Sequence, residues 1–390
     1  GRYAGDMIAY IDQQRGFVHI IRSDSLADTR IQQPLLHGSI SPSTWGTGTG
    51  AAILASLAWS PDGSALAFVG DPSGTGLTRL FIYSTDTHIV SPVPSPAPGS
   101  MSHPVWSPDN TRLAFEVTNN GVTSIIDYNV QNQQLLTVAS GIGSGQSAGD
   151  SVPTLNWSPS LSAPAITWSI GTIGHVHSIW LHPVGIGGAA GAQLLLAGDE
   201  TQAIYSRNGH SGVGSWLIVA SAQGRAGDIL RLDAVTGARP VQLTYGRQVN
   251  FAQWSPDGSA IDYFDSLSAG FGALHIVNAT TGLDLLISAS AAANPAPVWS
   301  LDGQRIAFSA GTRIGIASTQ GTASVHYLAL TGTVSALTWS VAAPNQLIAA
   351  LSDGQQGIYI IDAQNSQNSQ HTSQVDTLGT NSALLWTEIP

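Results

Sequence analysis

The sequence contains no cysteine and no lysine, and both absences narrow its possible functions. Without cysteine there is no disulfide framework and no thiolate metal site. Without lysine there is no Schiff-base chemistry and no phosphate loop of the Walker type. All thirteen basic residues are therefore arginine.

Charge of either sign is scarce. Only 9% of the residues are charged, against about 25% in an average soluble protein. The formal net charge of −11 disfavours nucleic acid and anionic membrane surfaces as partners. No apolar run approaches the roughly 20 residues of a membrane-spanning helix, so membrane insertion is not expected.

Small polar residues supply the surface that charged residues usually provide. Such a surface is typical of an exported protein, and the sequence begins with Gly1 rather than methionine. We therefore expect a processed mature chain located outside the cell or in the cell envelope.

What the sequence has in abundance is one short motif. It reads Trp59-Ser60-Pro61-Asp62-Gly63 and returns at 106–110 and 254–258. Shorter copies begin at Trp157, Trp299 and Trp339. Proline presets a turn, aspartate caps the backbone beyond it, and glycine or asparagine accepts the left-handed conformation that closes it. The tryptophan before each turn provides a large apolar group to bury against a neighbouring unit.

The spacing of these copies predicts the number of units. Trp106 follows Trp59 by 47 residues, but Trp254 follows Trp157 by 97, about twice the period. The missing copy is Ile204-Tyr205-Ser206-Arg207-Asn208-Gly209, with Tyr205 in place of tryptophan. A fixed period of this length indicates a propeller or a solenoid. Eight anchors result: Trp59, Trp106, Trp157, Tyr205, Trp254, Trp299, Trp339 and Trp386.

The two ends of the chain indicate a closed ring. Strands predicted at 6–12, 17–21 and 31–36 lack a first strand, and 382–386 would supply it. We predict an all-β, single-domain propeller of eight four-stranded antiparallel blades, closed by the C-terminal strand, with seven blades as the alternative. Blade 1 takes 1–37 with 380–390, and blades 2 to 8 take about 54–96, 103–139, 152–197, 202–244, 250–288, 296–331 and 335–378.

The turn motif, followed by runs such as Leu66-Ala67-Phe68, resembles the WD40-like (PD40) β-propeller repeat of TolB-type proteins. The resemblance covers nearly the whole chain and implies the fold rather than a function. TolB-type propellers have six blades and a separate N-terminal domain. The sequence predicts eight blades and no such domain within these residues, so we do not expect a Tol–Pal role.

The recurring residues are best interpreted as structural, because a functional site is normally local. Besides the eight anchors they include Asp62, Gly63, Asp109, Asp257, Gly258 and Asp302. Gly145-Gln146-Ser147-Ala148-Gly149 matches the nucleophile elbow of hydrolases, but it lies in a Gly/Ser-rich connector without the strand–helix context that gives that pattern meaning. We assign no catalytic residue.

The candidate metal ligands are His175, His177, Asp150 and His103. Residues i and i+2 of a strand face the same way, so both imidazoles of His175-Val176-His177 could approach one ion. Asp150 and His103 are expected on the same ring face, which also carries the connectors between blades. The simpler alternative is a pair of exposed histidines in a chain with eleven, so no resident cofactor is expected.

Asp262 is a second local departure from the repeat. It stands where sister units have Ala67, Ala114 and Ala307. A carboxylate at such a position needs hydrogen-bond donors, or its pKa rises. We expect hydrogen bonds to backbone amides rather than a catalytic role.

For function, the sequence favours a non-enzymatic module that binds a protein partner or self-associates. A glycan-binding propeller is the alternative, and exposed Trp or Tyr beside Asp or Asn on the connector face would indicate it. A hydrolase or metal-dependent enzyme using the central funnel is a third possibility.

Overall fold

A computed structural model describes residues 7–12, 17–22, 28–31, 57–71, 77–142, 150–151, 155–157, 165–172, 175–184, 191–205, 215–220, 227–233, 241–319, 324–330, 332–340, 343–352, 357–364, 373–376 and 385–386. All regular elements within these ranges are β-strands, numbered β1 to β32 in chain order, and none is an α-helix. No helix in this part of the chain is long and apolar enough to cross a membrane.

The first sheets are four-stranded and antiparallel, as the repeat predicts. The N-terminal sheet has the order β3-β2-β1-β32, with strands Met7–Asp12, Phe17–Arg22, Asp28–Ile31 and Leu385–Trp386. The second contains β4 to β7: Leu57–Trp59, Ala65–Gly70, Arg79–Ser84 and Val90–Pro92. The third contains β8 to β11: Ser100–Trp106, Arg112–Asn119, Val122–Asn129 and Leu135–Ile142.

The next sheet has eight strands rather than four. It contains β12 to β19: Asp150–Ser151, Leu155–Trp157, Ala165–Thr172, His175–Pro183, Gln193–Tyr205, Ser215–Ala220, Ile229–Asp233 and Val241–Gln242. Strand β16 runs through the predicted boundary between units four and five, and Glu200 pairs with both Val176 and Ala220. No proline interrupts β16, so its backbone keeps donating to the ladder.

The last three sheets are again four-stranded. The sixth unit has β20 to β23: Val249–Trp254, Ala260–Ser268, Phe271–Asn278 and Asp284–Ala292. The seventh has β24 to β27: Val298–Trp299, Arg305–Ser309, Arg313–Ser318 and Val325–Ala329. The eighth has β28 to β31: Val334–Trp339, Gln346–Leu351, Gly357–Asp362 and Ser373–Asp376.

Hydrophobic cores lie between successive sheets, because the strands of each unit carry apolar side chains on both faces. In β9, Leu113 and Phe115 pack toward the second unit, whereas Ala114 packs toward the fourth. The same arrangement joins the first unit to the eighth, where Ile21 packs with Ile348 and Ile358. Each unit is therefore stabilised chiefly by its neighbours.

The first unit differs from the sequence prediction at its outer strand. That strand was expected at 31–36, but the described strand is Asp28–Ile31, paired with β2. Residues 32–56 lie outside the described part of the chain.

Candidate functional site

Each complete copy of the motif forms the same hydrogen-bonded turn. In the first copy, Ser60 Oγ donates to Asp62 Oδ1 at 2.8 Å, and the same oxygen accepts from the Ser64 amide at 3.0 Å. Gly63 closes the turn with φ of 69°, a left-handed conformation that favours glycine. Equivalent bonds form around Asp109, Asp257 and Asp302. These carboxylates stabilise turns and are not available for chemistry.

The motif tryptophans link neighbouring units by a hydrogen bond that the sequence did not predict. The indole N–H groups of Trp106, Trp157 and Trp339 donate to backbone carbonyls at 2.9, 2.9 and 3.0 Å. The acceptors are Ala58, Val105 and Val298, each directly before the preceding unit's tryptophan. The repeat therefore needs tryptophan for a directional contact as well as for burial.

The sixth unit breaks this pattern at Asp262. Its side chain is fully buried and accepts hydrogen bonds from the Trp299 indole and from Gln253 Nε2, the latter at 3.2 Å. Burial raises the pKa of Asp262 to about 8, and the two hydrogen bonds only partly oppose that rise. The carboxyl thus replaces the usual backbone acceptor of the motif tryptophan, which gives it a role in joining units six and seven.

A second departure pairs Glu116 with His103. Glu116 is fully buried, and its Oε2 lies 2.9 Å from His103 Nδ1 and 3.5 Å from Ser102 Oγ. The other oxygen, Oε1, is buried and has no hydrogen-bond partner. Burial raises the pKa of Glu116 despite the opposing histidine, and the charge of Glu116 raises the pKa of His103 despite its burial.

Of this pair, His103 was among the candidates predicted from the sequence, whereas Glu116 was not. The signal was present, because Glu116 is a charged residue at a position that is uncharged in three sister strands. The equivalent residues are Val69, Phe264 and Ser309.

A third cluster surrounds Asp284 at the start of β23. Asp284 accepts from Tyr263 Oη at 2.7 Å, lies 3.0 Å from His275 Nδ1, and forms an ion pair with Arg247 at 2.5 Å. Arg247 also bridges to Asp265 at 3.1 Å. Burial alone would raise the pKa of Asp284, but the hydrogen bonds from His275 and Tyr263 and the charge of Arg247 lower it. This network fixes the connector before β20 against the outer strand of the same unit.

The most exposed large apolar side chains of the described residues lie on this fixed connector and turn. Tyr245 is 75% exposed and Leu283 is 74% exposed. A Cβ at Gly282 would lie 3.3 Å from the Leu243 carbonyl, and Arg247 contacts Asp284. Segment 243–247 therefore lies against segment 282–284, which brings Tyr245 and Leu283 to one surface. We call these two exposed side chains on adjoining segments the Tyr245–Leu283 patch.

Comparison with known proteins identifies the fold. No family model and no curated protein matches the chain. Among solved structures, the dihydro-heme d1 dehydrogenase NirN is 12% identical with a TM-score of 0.64, covering 97% of this chain and 76% of that one. Oligogalacturonate lyase from Vibrio parahaemolyticus is 11% identical with a TM-score of 0.52, covering 92% and 98%. TolB from Acinetobacter baumannii is 16% identical with a TM-score of 0.41, covering 83% of this chain and 66% of that one.

The chain folds as a β-propeller. At these identities the likeness shows the fold alone. The sequence-based expectation of a propeller is therefore confirmed as a statement about fold.

The propeller places the four predicted metal ligands on its third and fourth units. His103 lies in β8, where its side chain contacts Glu116. Asp150 lies in β12 and His175 in β15, and both pair with Thr172 of β14, so that all three share one register row. His177 also lies in β15. The side chains of Asp150, His175 and His177 lie outside the described part of the structure.

Three other residues named from the sequence are only partly described. The side chains of Tyr205 and Trp386 are outside the described part, although their backbones end strands β16 and β32. Ser147 lies wholly outside it. Among the described side chains, no group of three His, Asp or Glu residues could hold a metal ion.

An open groove of about 430 Å³ lies between the outer strands of units one and two. Arg30, Ile31, Tyr83, His88 and Ile89 are among its lining residues. The Tyr83 hydroxyl and His88 Nδ1 are 2.6 Å apart, so these two polar groups already satisfy each other.

Proposed function

We propose that this chain is a non-enzymatic propeller of the extracellular space or cell envelope that binds protein, and that its partner includes further copies of itself. We propose eight blades, because seven sheets are described and one of them has eight strands around β16. Ring closure is supported by the pairing of Ile8 with Trp386 and of Ala9 with Leu385, and by the packing of Ile21 against unit eight.

The observation that carries the functional proposal is the Tyr245–Leu283 patch. Two large side chains that are three-quarters exposed lie on adjoining segments, and neighbouring exposed apolar groups mark an interaction site where scattered single ones do not. Tyrosine is enriched among the residues that dominate binding energy at protein interfaces.

The backbone beneath the patch is held by hydrogen bonds and ion pairs, which lowers the entropic cost of binding. Asp228 accepts from the amides of Gly246 and Arg247 at 2.9 Å each. The Arg247 guanidinium is held by Asp265 and Asp284, and Asp284 also accepts from the Tyr263 hydroxyl. Because these contacts order the loop, little freedom remains to be lost when a partner covers Tyr245.

A second copy of the chain fits this surface because a two-fold contact needs only one self-complementary patch. A surface with few charges also has little to desolvate when two copies meet, and the charged fraction here is 9%. Arg247 already forms ion pairs with Asp265 and Asp284 within the chain, and Asp228 already accepts hydrogen bonds from the loop, so these groups need no new partner when two patches meet.

The test is sedimentation velocity across a concentration series. The double variant Tyr245→Ser/Leu283→Ser should shift the self-association midpoint to at least about tenfold higher concentration, since losing two exposed anchors costs more than about 1.4 kcal/mol. The control Ile89→Ser/Leu301→Ser removes two side chains that are 59% and 55% exposed elsewhere, and should leave the midpoint unchanged. A wild-type chain that stays monomeric at every concentration would overturn the self-association proposal.

Glycan binding is the second candidate, because Tyr245 is an exposed aromatic residue next to a carboxylate on a connector. Asp228 is nevertheless committed to the loop: its two oxygens accept from Gln242, Thr244, Gly246 and Arg247. Few lone pairs remain for a sugar hydroxyl, so we favour protein. Saturable binding of an oligosaccharide to a monomeric wild type, lost in Tyr245→Ala, would reverse this preference.

A further inference from the structure

We infer that Asn278 is an acceptor for an N-linked glycan, and that this modification regulates the self-association proposed above. Asn278-Ala279-Thr280 matches the acceptor pattern Asn-x-Ser/Thr, in which the middle residue is not proline. The inference rests on the proposed function and location, because such glycans are carried by secreted chains. The pattern is short, so its position in the fold decides whether it can be used.

The fold separates the two matches to this pattern that the sequence contains. The match at 156–158 begins inside the paired strand β13, where Asn156 pairs with Thr167 and the next side chain, Trp157, is buried. A bulky group there would disturb the packing of that strand. Asn278 instead ends β22 and opens the turn to β23, in which Thr280 is exposed. This second match lies where a large, hydrated group fits.

The two polar atoms of the Asn278 side chain have different roles in this turn. Its Oδ1 accepts hydrogen bonds from the amides of Thr280 and Thr281, at 3.0 and 2.8 Å. These two donors identify the oxygen, so the remaining atom is Nδ2, to which an N-linked glycan is attached. Within the described part of the chain, no hydrogen bond occupies Nδ2 or the Thr280 hydroxyl. The nitrogen and the hydroxyl that the pattern requires are therefore both accessible.

The sister turn of unit three shows which side chain the turn itself needs. Asn129 Oδ1 accepts from the amides of Gln131 and Asn132 at 3.0 and 3.1 Å, so the same turn forms with glutamine at the position of Thr280. Capping of the backbone accounts for the asparagine in both turns. It does not account for the Thr280 hydroxyl, which completes the acceptor pattern in unit six alone of the two.

The acceptor borders the Tyr245–Leu283 patch. The Asn278 amide donates to the Leu283 carbonyl at 2.9 Å, and the Gly282 amide donates to the Asn278 carbonyl at 2.9 Å. Asn278 and the 74% exposed Leu283 thus belong to one closed turn. A glycan on Nδ2 would occupy space that a second copy needs when two patches meet. Unmodified chains would associate, and modified chains would stay apart.

The transfer uses an activated sugar donor and a transferase that the cell supplies. Asn278 Nδ2 attacks the anomeric carbon of a sugar phosphate ester, so that a C–N bond forms. The C–O bond to the phosphate breaks, the phosphate leaves with the electron pair, and Nδ2 loses one proton to a base of the transferase. No oxidant or reductant is needed. This chain contributes the nitrogen and the hydroxyl of the acceptor pattern.

The first experiment is secretion of the full chain by a eukaryotic host that performs N-linked glycosylation, followed by peptide mass spectrometry. We expect a glycan at Asn278 and none at Asn156. Thr280→Ala should abolish the glycan, although it leaves the Asn278 cap intact because only the Thr280 amide donates to it. Thr280→Ser should keep the glycan. An unmodified Asn278 in the secreted wild type would overturn the inference.

The second experiment compares the secreted proteins by sedimentation velocity. The glycosylated wild type should have a self-association midpoint at least about tenfold higher in concentration than Thr280→Ala. The matched control is Thr280→Ala/Gln131→Thr, which moves the acceptor pattern to the same turn of unit three. It should carry a glycan on Asn129 and associate as Thr280→Ala does.

Equal midpoints for wild type and Thr280→Ala would overturn the regulatory role of the glycan. A monomeric Thr280→Ala would instead show that the proposed self-association is wrong, whereas the mass of the Asn278 peptide reports glycan attachment independently of association. Thermal unfolding serves as the folding check, and Thr280 is exposed, so its replacement leaves the core intact.

Discussion

Replacing Asp262 by asparagine should change the pH dependence of folding stability. Burial raises the pKa of Asp262 from 3.8 to about 8. The folded protein therefore keeps this proton up to about pH 8, whereas the unfolded chain releases it near pH 4. Between these values the unfolded state binds fewer protons, so the free energy of unfolding falls as the pH rises. Below about pH 4 the burial of Asp262 carries no ionisation penalty, because both states hold the proton. Above about pH 8 the loss of folding stability from this group is complete.

The size of the effect follows from the width of that window. Raising the pH to 7 crosses about three units above the unfolded pKa, at about 1.4 kcal/mol each, which gives a penalty of roughly 4 kcal/mol. Asparagine cannot ionise and still offers an oxygen to the Trp299 indole. Its amino group would face Gln253 Nε2, and losing that hydrogen bond costs about 1 kcal/mol. We therefore expect Asp262→Asn to be about 3 kcal/mol more stable than wild type at pH 7, and slightly less stable at about pH 4.

The assay is urea denaturation followed by tryptophan fluorescence from about pH 4 to pH 9. Taking the difference between variant and wild type at each pH cancels the other titrating groups. The control is Asp302→Asn, for which the stability difference from wild type should change with pH in the opposite direction. Burial alone would raise the pKa of Asp302, but hydrogen bonds from Ser300 and Gln304 lower it, so its ionised form stabilises the fold above the unfolded pKa and is lost in acid. Parallel stability curves for Asp262→Asn and wild type would refute the reasoning.

Two further predictions concern the links between units. Deleting residues 380–390 removes the strand that pairs with β1, and should lower the free energy of unfolding by several kcal/mol while promoting aggregation through the exposed edge; an unchanged melting temperature would count against closure by this strand. Trp106→Phe should cost about 1 kcal/mol more in urea denaturation than Trp254→Phe, because the Trp106 indole donates to Ala58 whereas the buried Trp254 indole has no partner. Equal losses in the two variants would show that the indole bond contributes nothing.

The class of fold could be predicted from the sequence because turns and strands are specified by residues that lie close together in the chain. The residues that define each turn lie within six positions of one another, as Ser60, Asp62 and Ala65 do in the first copy. Short continuous apolar runs after each turn, bounded by turn residues, indicate strands that are buried on both faces. Such information needs no knowledge of distant residues, so it survives in the sequence even where one copy replaces tryptophan by Tyr205.

The candidate site depended on contacts that no local pattern contains. His103 and Asp262 could be recognised from the sequence as unusual residues. Their partners could not: Glu116 contacts His103, and the Trp299 indole donates to Asp262. Those partners are 13 and 37 residues away, and both contacts depend on the side chains that each strand turns toward its neighbours.

The sequence by itself determined the repeat, the turn chemistry, the all-β class and the scarcity of charge. Only the tertiary structure decided that β16 would join two predicted units into one sheet, that Tyr245 and Leu283 would share a surface, and that Glu116 would keep one buried oxygen without a partner. The physical reason is that turns and strands follow from residues near in sequence, whereas exposure, burial and partner choice follow from how whole units pack.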